Sequence, residues 1–149
     1  MTIAHNRFQR GAVALAVAFA ILTPSIAGSQ SAARATGSGK TIDVKMIGDG
    51  TGYRFEPATV TVKAGDTVRW ILVSGPPHNV AFWSDSVPKA AVVRLGRNMP
   101  KPMGPLMGPM FMKAGDSYSI SFAGLPAGVY RYNCTPHMAL GMKAVVRVE

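Results

Sequence analysis

Cysteine is all but missing from this chain: Cys134 is the single thiol among 149 residues. An internal disulfide is therefore excluded. Acidic residues are scarce as well, with 7 Asp+Glu against 16 Lys+Arg and a net charge of +9. The bases are scattered (Lys45, Arg54, Lys63, Arg69, Lys89, Arg94, Arg97, Lys101) and no nucleic-acid-binding motif accompanies them, which argues against a nucleic-acid partner. A long apolar run is lacking too. The residues from Ala12 to Leu22 form a short one, below the ~20 residues that span a bilayer.

What stands in residues 1–27 instead is the layout of a secretory signal peptide: His5, Arg7 and Arg10 without an acid, the short apolar run, Pro24, and small residues around Ser25-Ile26-Ala27. An uncleaved anchor is the competing reading. The expectation is an exported, periplasmic protein with no stable membrane insertion after cleavage. Cleavage removes two of the sixteen bases and no acid, leaving fourteen against seven and a net charge of +7. An acidic protein partner, or simple solubility, fits that charge better than nucleic acid does. Residues 28–39 (GSQSAARATGSG) are too small and polar to bury a core and read as a flexible linker. One folded domain is expected over residues 40–149.

With 16 Gly and 11 Pro, that domain has many turns, and the strands between them are short. Ile42, Val44 and Met46 alternate with Asp43 and Lys45, the pattern of a half-buried strand. Thr59–Val62, Thr67–Val73, Ser117–Phe122, Val129–Cys134 and Ala144–Val148 read likewise, and Trp70 and Trp83 are expected as core anchors. The tetrapeptide Lys-Ala-Gly-Asp occurs at 63–66 and again at 113–116, marking two similar corners. Residues 84–112 carry Pro88, Pro100, Pro102, Pro105 and Pro109, which no regular period survives; they read as a long Pro/Met-rich loop with one helical turn near 89–95. The fold class is all-β, a Greek-key β-sandwich or barrel of seven or eight strands.

The chemistry concentrates in residues 130–142. Cys134 ends a strand, and His137 and Met142 follow in the next loop, with Pro136 and Gly141 to bend it. An unpaired thiol in an oxidising compartment is a liability unless something occupies it. Outside the signal peptide the only other imidazole is His78, after Pro76-Pro77. Two imidazoles, a thiolate and a weak thioether match the trigonal His2Cys copper site with a long axial Met. Structural zinc wants four strong donors where three are present. A catalytic zinc with two His and one Cys leaves the Met spacing unexplained. A dinuclear thiolate-bridged copper site needs a second Cys, and a Cys–His nucleophile pair lacks a third group to orient it. The assignment is one copper ion (Cu+/Cu2+) held by His78, Cys134, His137 and Met142.

These residues carry a resemblance. The run Tyr132–Met142, in which C-x2-H-x4-M stands as Cys134, His137 and Met142, together with Pro77-His78-Asn79-Val80, is similar to cupredoxins of the plastocyanin/pseudoazurin type over residues 41–149. The resemblance implies an eight-stranded sandwich with copper at one end and a role as single-electron carrier between larger redox partners, without enzymatic activity. Met142 should favour Cu(I) and tune the potential. Asn79 is expected to support the site, its backbone donating to the Cys134 sulfur and its side chain tying the two ligand loops together. By the same resemblance, electrons pass at the outer edge of His137, within an apolar rim of Pro77, Pro136, Met138 and Leu140 suited to transient partners. Core packing is the competing reading for Met138 and Leu140. A diffusing carrier of this kind is expected as a monomer. Met99, Met103, Met107, Met110 and Met112 raise the alternative of copper storage or delivery, since thioethers bind Cu(I); gap-filling or an adaptable docking face is the simpler reading.

Overall fold

The computed structural model describes residues 39–149, so residues 1–27, expected as a signal peptide, and all but the last residue of the expected linker lie outside the described residues. Eight strands form: β1 (Thr41–Asp49), β2 (Gly52–Glu56), β3 (Thr59–Val62), β4 (Thr67–Leu72), β5 (Ala81–Phe82), β6 (Ser117–Ser121), β7 (Gly128–Asn133) and β8 (Lys143–Val148). They make two four-stranded sheets, ordered β2-β1-β4-β6 and β3-β8-β7-β5, so the chain crosses repeatedly from one to the other. This is the expected all-β sandwich. Most neighbours are antiparallel, but β1 pairs with β4 and β3 with β8 in parallel.

Period-two alternation sets which side of each strand faces in. Val44 and Met46, Val60 and Val62, Val68 and Trp70, Tyr130 and Tyr132, and Val146 and Val148 all point into one core. Trp70 lies edge-on to both Phe82 and Tyr132, with ring centroids 6.2 and 5.4 Å away. The other tryptophan departs from expectation: Trp83 is half-buried, with the Lys143 ammonium 5.8 Å from its ring centroid.

The repeated tetrapeptides build the same corner twice. Asp66 accepts from the Lys63 N–H at 2.9 Å, and Asp116 from the Lys113 N–H at 3.0 Å, each carboxylate closing its own turn. Each turn needs its glycine, since Gly65 and Gly115 have φ of +113° and +93°.

The long segment is more ordered than its prolines suggest. After Pro88 comes a single 3-10 turn, Lys89–Ala91, and then helix α1 (Val92–Asn98). Leu95, fully buried, ties α1 to the core, and the Asn98 amide donates to the Ser121 carbonyl at 2.7 Å. Residues 104–111 then run beside 78–82: the Phe82 N–H meets the Leu106 carbonyl at 2.9 Å and the Gly108 N–H the Val80 carbonyl at 2.8 Å. No described helix is long and apolar enough to cross a membrane.

The two outer faces differ in charge. On the first sheet Arg69 grips Asp43 (2.7 Å), while Arg54 meets Asp49 (2.9 Å) and Glu56 (3.6 Å). Across β7 and β8 the exposed bases Arg131, Lys143 and Arg147 form no ion pair among the described residues.

Candidate metal centre

Two loops at one end of the sandwich meet. The first leaves β4 and carries His78. Its N–H donates to the Phe111 carbonyl (3.1 Å) and its carbonyl accepts from the Phe111 N–H (2.8 Å), so the long segment holds this residue in place. The second runs from β7 to β8 and carries Cys134, His137 and Met142. It is closed by its own backbone: Cys134 N–H to Met142 carbonyl (3.1 Å), His137 N–H to Cys134 carbonyl (3.1 Å) and Met142 N–H to His137 carbonyl (3.2 Å). Gly141, with φ of +87°, ends the 3-10 turn Met138–Leu140 and lets the chain double back.

Three donor atoms converge. His78 Nδ1 lies 3.4 Å from Cys134 Sγ, Cys134 Sγ 3.5 Å from His137 Nδ1, and the two Nδ1 atoms 3.3 Å from each other. The point equidistant from the corners of so regular a triangle lies about 2 Å from each, the length of a metal–imidazole bond. The donor chemistry fits a copper ion, and this cluster is able to hold one. His78, Cys134 and Met142 are fully buried and His137 is 8% exposed. Met142 thus joins the others through its backbone bonds to Cys134 and His137 and lies within the same buried end.

The tautomer of His78 is fixed by its partner. The Ser74 carbonyl can only accept, so Nε2, 2.9 Å away, carries the proton and Nδ1 keeps its lone pair for the metal. Burial lowers the pKa of both histidines; for His78 the Ser74 bond partly opposes this, and for His137 the neighbouring His78 adds to it. Burial also raises the Cys134 thiol, against the backbone N–H groups of Asn79 and His137, which favour the thiolate. A bound cation reverses that balance, because only the thiolate is a ligand.

Asn79, fully buried, bridges the loops: its Oδ1 accepts from the Thr135 N–H at 2.7 Å and its Nδ2 donates to Thr135 Oγ1 at 3.2 Å. Of the anticipated rim, Met138 and Leu140 are 43% and 63% exposed, which removes the core-packing reading for them; Pro136 is exposed and Pro77 half-buried. The five methionines divide: Met99 is buried in the core, Met107 half-buried, and Met103, Met110 and Met112 face outward.

One residue at the site escaped the sequence analysis. Tyr53, on β2, stacks on His137 with ring centroids 3.6 Å apart and planes 11° from parallel. The signal for it is a glycine across the hairpin: Gly48 is the partner of Tyr53 in the β1–β2 register.

Residues 42–149 match the family of copper binding proteins described as plastocyanin/azurin. Plastocyanin of Scenedesmus fuscus is 38% identical over 109 residues, covering 72% of this chain and 99% of that protein. Amicyanin of Paracoccus denitrificans is 36% identical over 104 residues, covering 70% of this chain and 66% of its own length. The structure of oxidised plastocyanin from Dryopteris crassirhizoma superposes with a TM-score of 0.58 at 25% identity, covering 72% of this chain and all of that one.

Proposed function

This chain belongs to the plastocyanin/azurin family of copper-binding proteins, and from that premise we propose that it is an exported carrier of single electrons whose copper is held by His78, Cys134, His137 and Met142. The observation that supports this most is the buried triangle of two Nδ1 atoms and one thiol, each within 3.5 Å of the others. Copper, when bound, supplies a one-electron couple, Cu(I)/Cu(II).

The chain's own groups prepare that couple. The sandwich holds the donors together: β7 delivers Cys134, the Ser74 carbonyl orients His78, and Asn79 fastens the two loops together. The thiol of Cys134 gives up its proton on loading, and the N–H groups of Asn79 and His137 then stabilise the sulfur's negative charge. Met142, soft and weakly basic, would be the fourth donor and would favour Cu(I). Burial excludes water from three of the four donors. His137 alone reaches the surface, in the loop that also exposes Met138 and Leu140. That small apolar rim suits brief contacts with redox partners, and the unpaired bases of the β7–β8 face favour partners that are acidic.

Copper delivery is opposed by the same burial, since handing over a metal needs donors that open. Export rests on residues 1–27, and amino-terminal sequencing of the mature protein from its compartment tests it. The site is tested by the visible spectrum after Cu(II) loading. An intense thiolate-to-copper band, bleached by ascorbate and absent from Cys134→Ala, is the expected result. A colourless protein, or a pale colour that survives loss of Cys134, refutes the ligand set.

A further inference from the structure

We propose that Tyr53 is the positioning residue for His137, doing by ring stacking what the Ser74 carbonyl does for His78 by hydrogen bonding; the proposal rests on the assignment of both histidines as donors. A metal-binding imidazole ordinarily donates its second N–H to an acceptor that fixes the ring's orientation. His78 has such an acceptor at 2.9 Å. His137 has none among the described residues: its ring makes contacts through Nδ1 alone, to Cys134 Sγ and His78 Nδ1. Without another restraint this ring is free to turn about its last side-chain bond.

Tyr53 supplies the restraint. At a centroid distance of 3.6 Å and an interplanar angle of 11°, the phenol covers one face of the imidazole, so a tilt of His137 drives it into the phenol ring. The same phenol is edge-on to His78, at 6.0 Å and 66°, and so touches both histidine rings. An imidazole that has given its lone pair to a cation is electron-poor, and an electron-rich phenol face holds it more strongly than it holds the metal-free ring.

The backbone is shaped to seat this ring. A Cβ on Gly48 would lie 2.6 Å from Tyr53 Cε1 and 2.7 Å from Cδ1, so any larger residue expels the phenol. Gly75 packs against Gly48 in turn: its own Cβ would come within 2.5 Å of Gly48 Cα, and its φ is +73°. Gly75 belongs to the loop that carries Ser74 and His78. The seat of Tyr53 and the anchor of the other imidazole are thus parts of one construction.

The test uses the full chain with Tyr53→Leu, Tyr53→Phe and Gly48→Ala. The reduction potential, the thiolate-to-copper band and the His137 ring-proton shifts are measured, the last in both the metal-free and the Cu(I) protein. Tyr53→Phe should retain the wild-type values, because the stack needs the ring and not the hydroxyl. Tyr53→Leu should shift the band and the potential, move the His137 protons downfield out of the ring current, and release copper about three- to tenfold faster. Gly48→Ala, with the tyrosine intact but displaced, should behave like Tyr53→Leu. Wild-type potential, band and proton shifts in Tyr53→Leu overturn the proposal, as does a Tyr53→Phe protein that matches Tyr53→Leu. A wild-type protein with no thiolate band overturns the ligand assignment instead, and the proton shifts of the metal-free protein then still decide whether Tyr53 positions the ring.

Discussion

Asn79→Ala removes the fastening between the two ligand loops. The amide makes two hydrogen bonds, to the Thr135 N–H at 2.7 Å and to Thr135 Oγ1 at 3.2 Å, and is itself fully buried. Thr135 is exposed, so water recovers its hydroxyl. The bond to the backbone N–H is the shorter, and losing that acceptor costs most of the total, about 2 kcal/mol for both bonds together. For a domain of this size that is a fall of about 8 °C in the melting temperature of the metal-free protein. Thr135→Val deletes only the longer bond and should cost about 0.5–1 kcal/mol, or a few degrees. The copper-loaded protein supplies a second reading. With the loops unfastened, Cys134 shifts relative to His78, and both the thiolate-to-copper band and the potential move. Calorimetry of the metal-free proteins and spectroscopy of the loaded ones make the comparison. An Asn79→Ala protein that melts within 2 °C of wild type and keeps its spectrum and potential would refute the reasoning.

Further tests address other parts of the chain. Leu95→Ala should destabilise by about 3 kcal/mol, because α1 is tied to the core through that fully buried side chain; urea titration giving less than about 1 kcal/mol would mean that the long segment is not anchored there. Asp49 is held down to about 2 by its bonds with Thr51 and then with Arg54. A lowered carboxylate stabilises fully above its unfolded value of 3.8 and loses that contribution as pH falls toward about 2, so Asp49→Asn should lose less stability than wild type across that interval in acid titrations. Replacing Arg131 and Lys143 together by Glu should slow reduction by an acidic redox protein and flatten its dependence on ionic strength, as stopped-flow rates would record; unchanged rates and salt slope would make these bases solubility residues.

The Cys134–His137 part of the buried cluster and most strands were legible because both are written locally. C-x2-H-x4-M lies in one loop, and alternations such as Ile42-Val44-Met46 declare a half-buried strand without reference to anything distant. Residues 84–112 were less legible because proline erases periodicity. The helical turn placed near 89–95 turns out to continue as α1 to Asn98, between Pro88 and Pro100. Trp83 was misjudged because an apolar neighbourhood in sequence does not tell which way a side chain turns just past the end of a strand only two residues long. The parallel pairing of β1 with β4, and of β3 with β8, leaves no trace in either strand. The stack of Tyr53 on His137 depends on the β1–β2 register, on Gly48 and on a loop far along the chain, so it emerges only when all three are assembled.

The unequal distribution of the proposed donors along the chain bears on how copper and folding are linked. Cys134, His137 and Met142 stay neighbours even in an unfolded polypeptide, whereas His78 is 56 residues from Cys134 and is lost as soon as the sandwich opens. The unfolded chain therefore keeps a partial chelate. Copper stabilises the folded state only by the difference between the full site and that remnant, so the rise in unfolding free energy on loading falls short of the whole binding free energy. The same remnant gives copper a foothold before His78 arrives, and ion capture can precede closure of the long loop whose entropy must be overcome for the fourth donor to join.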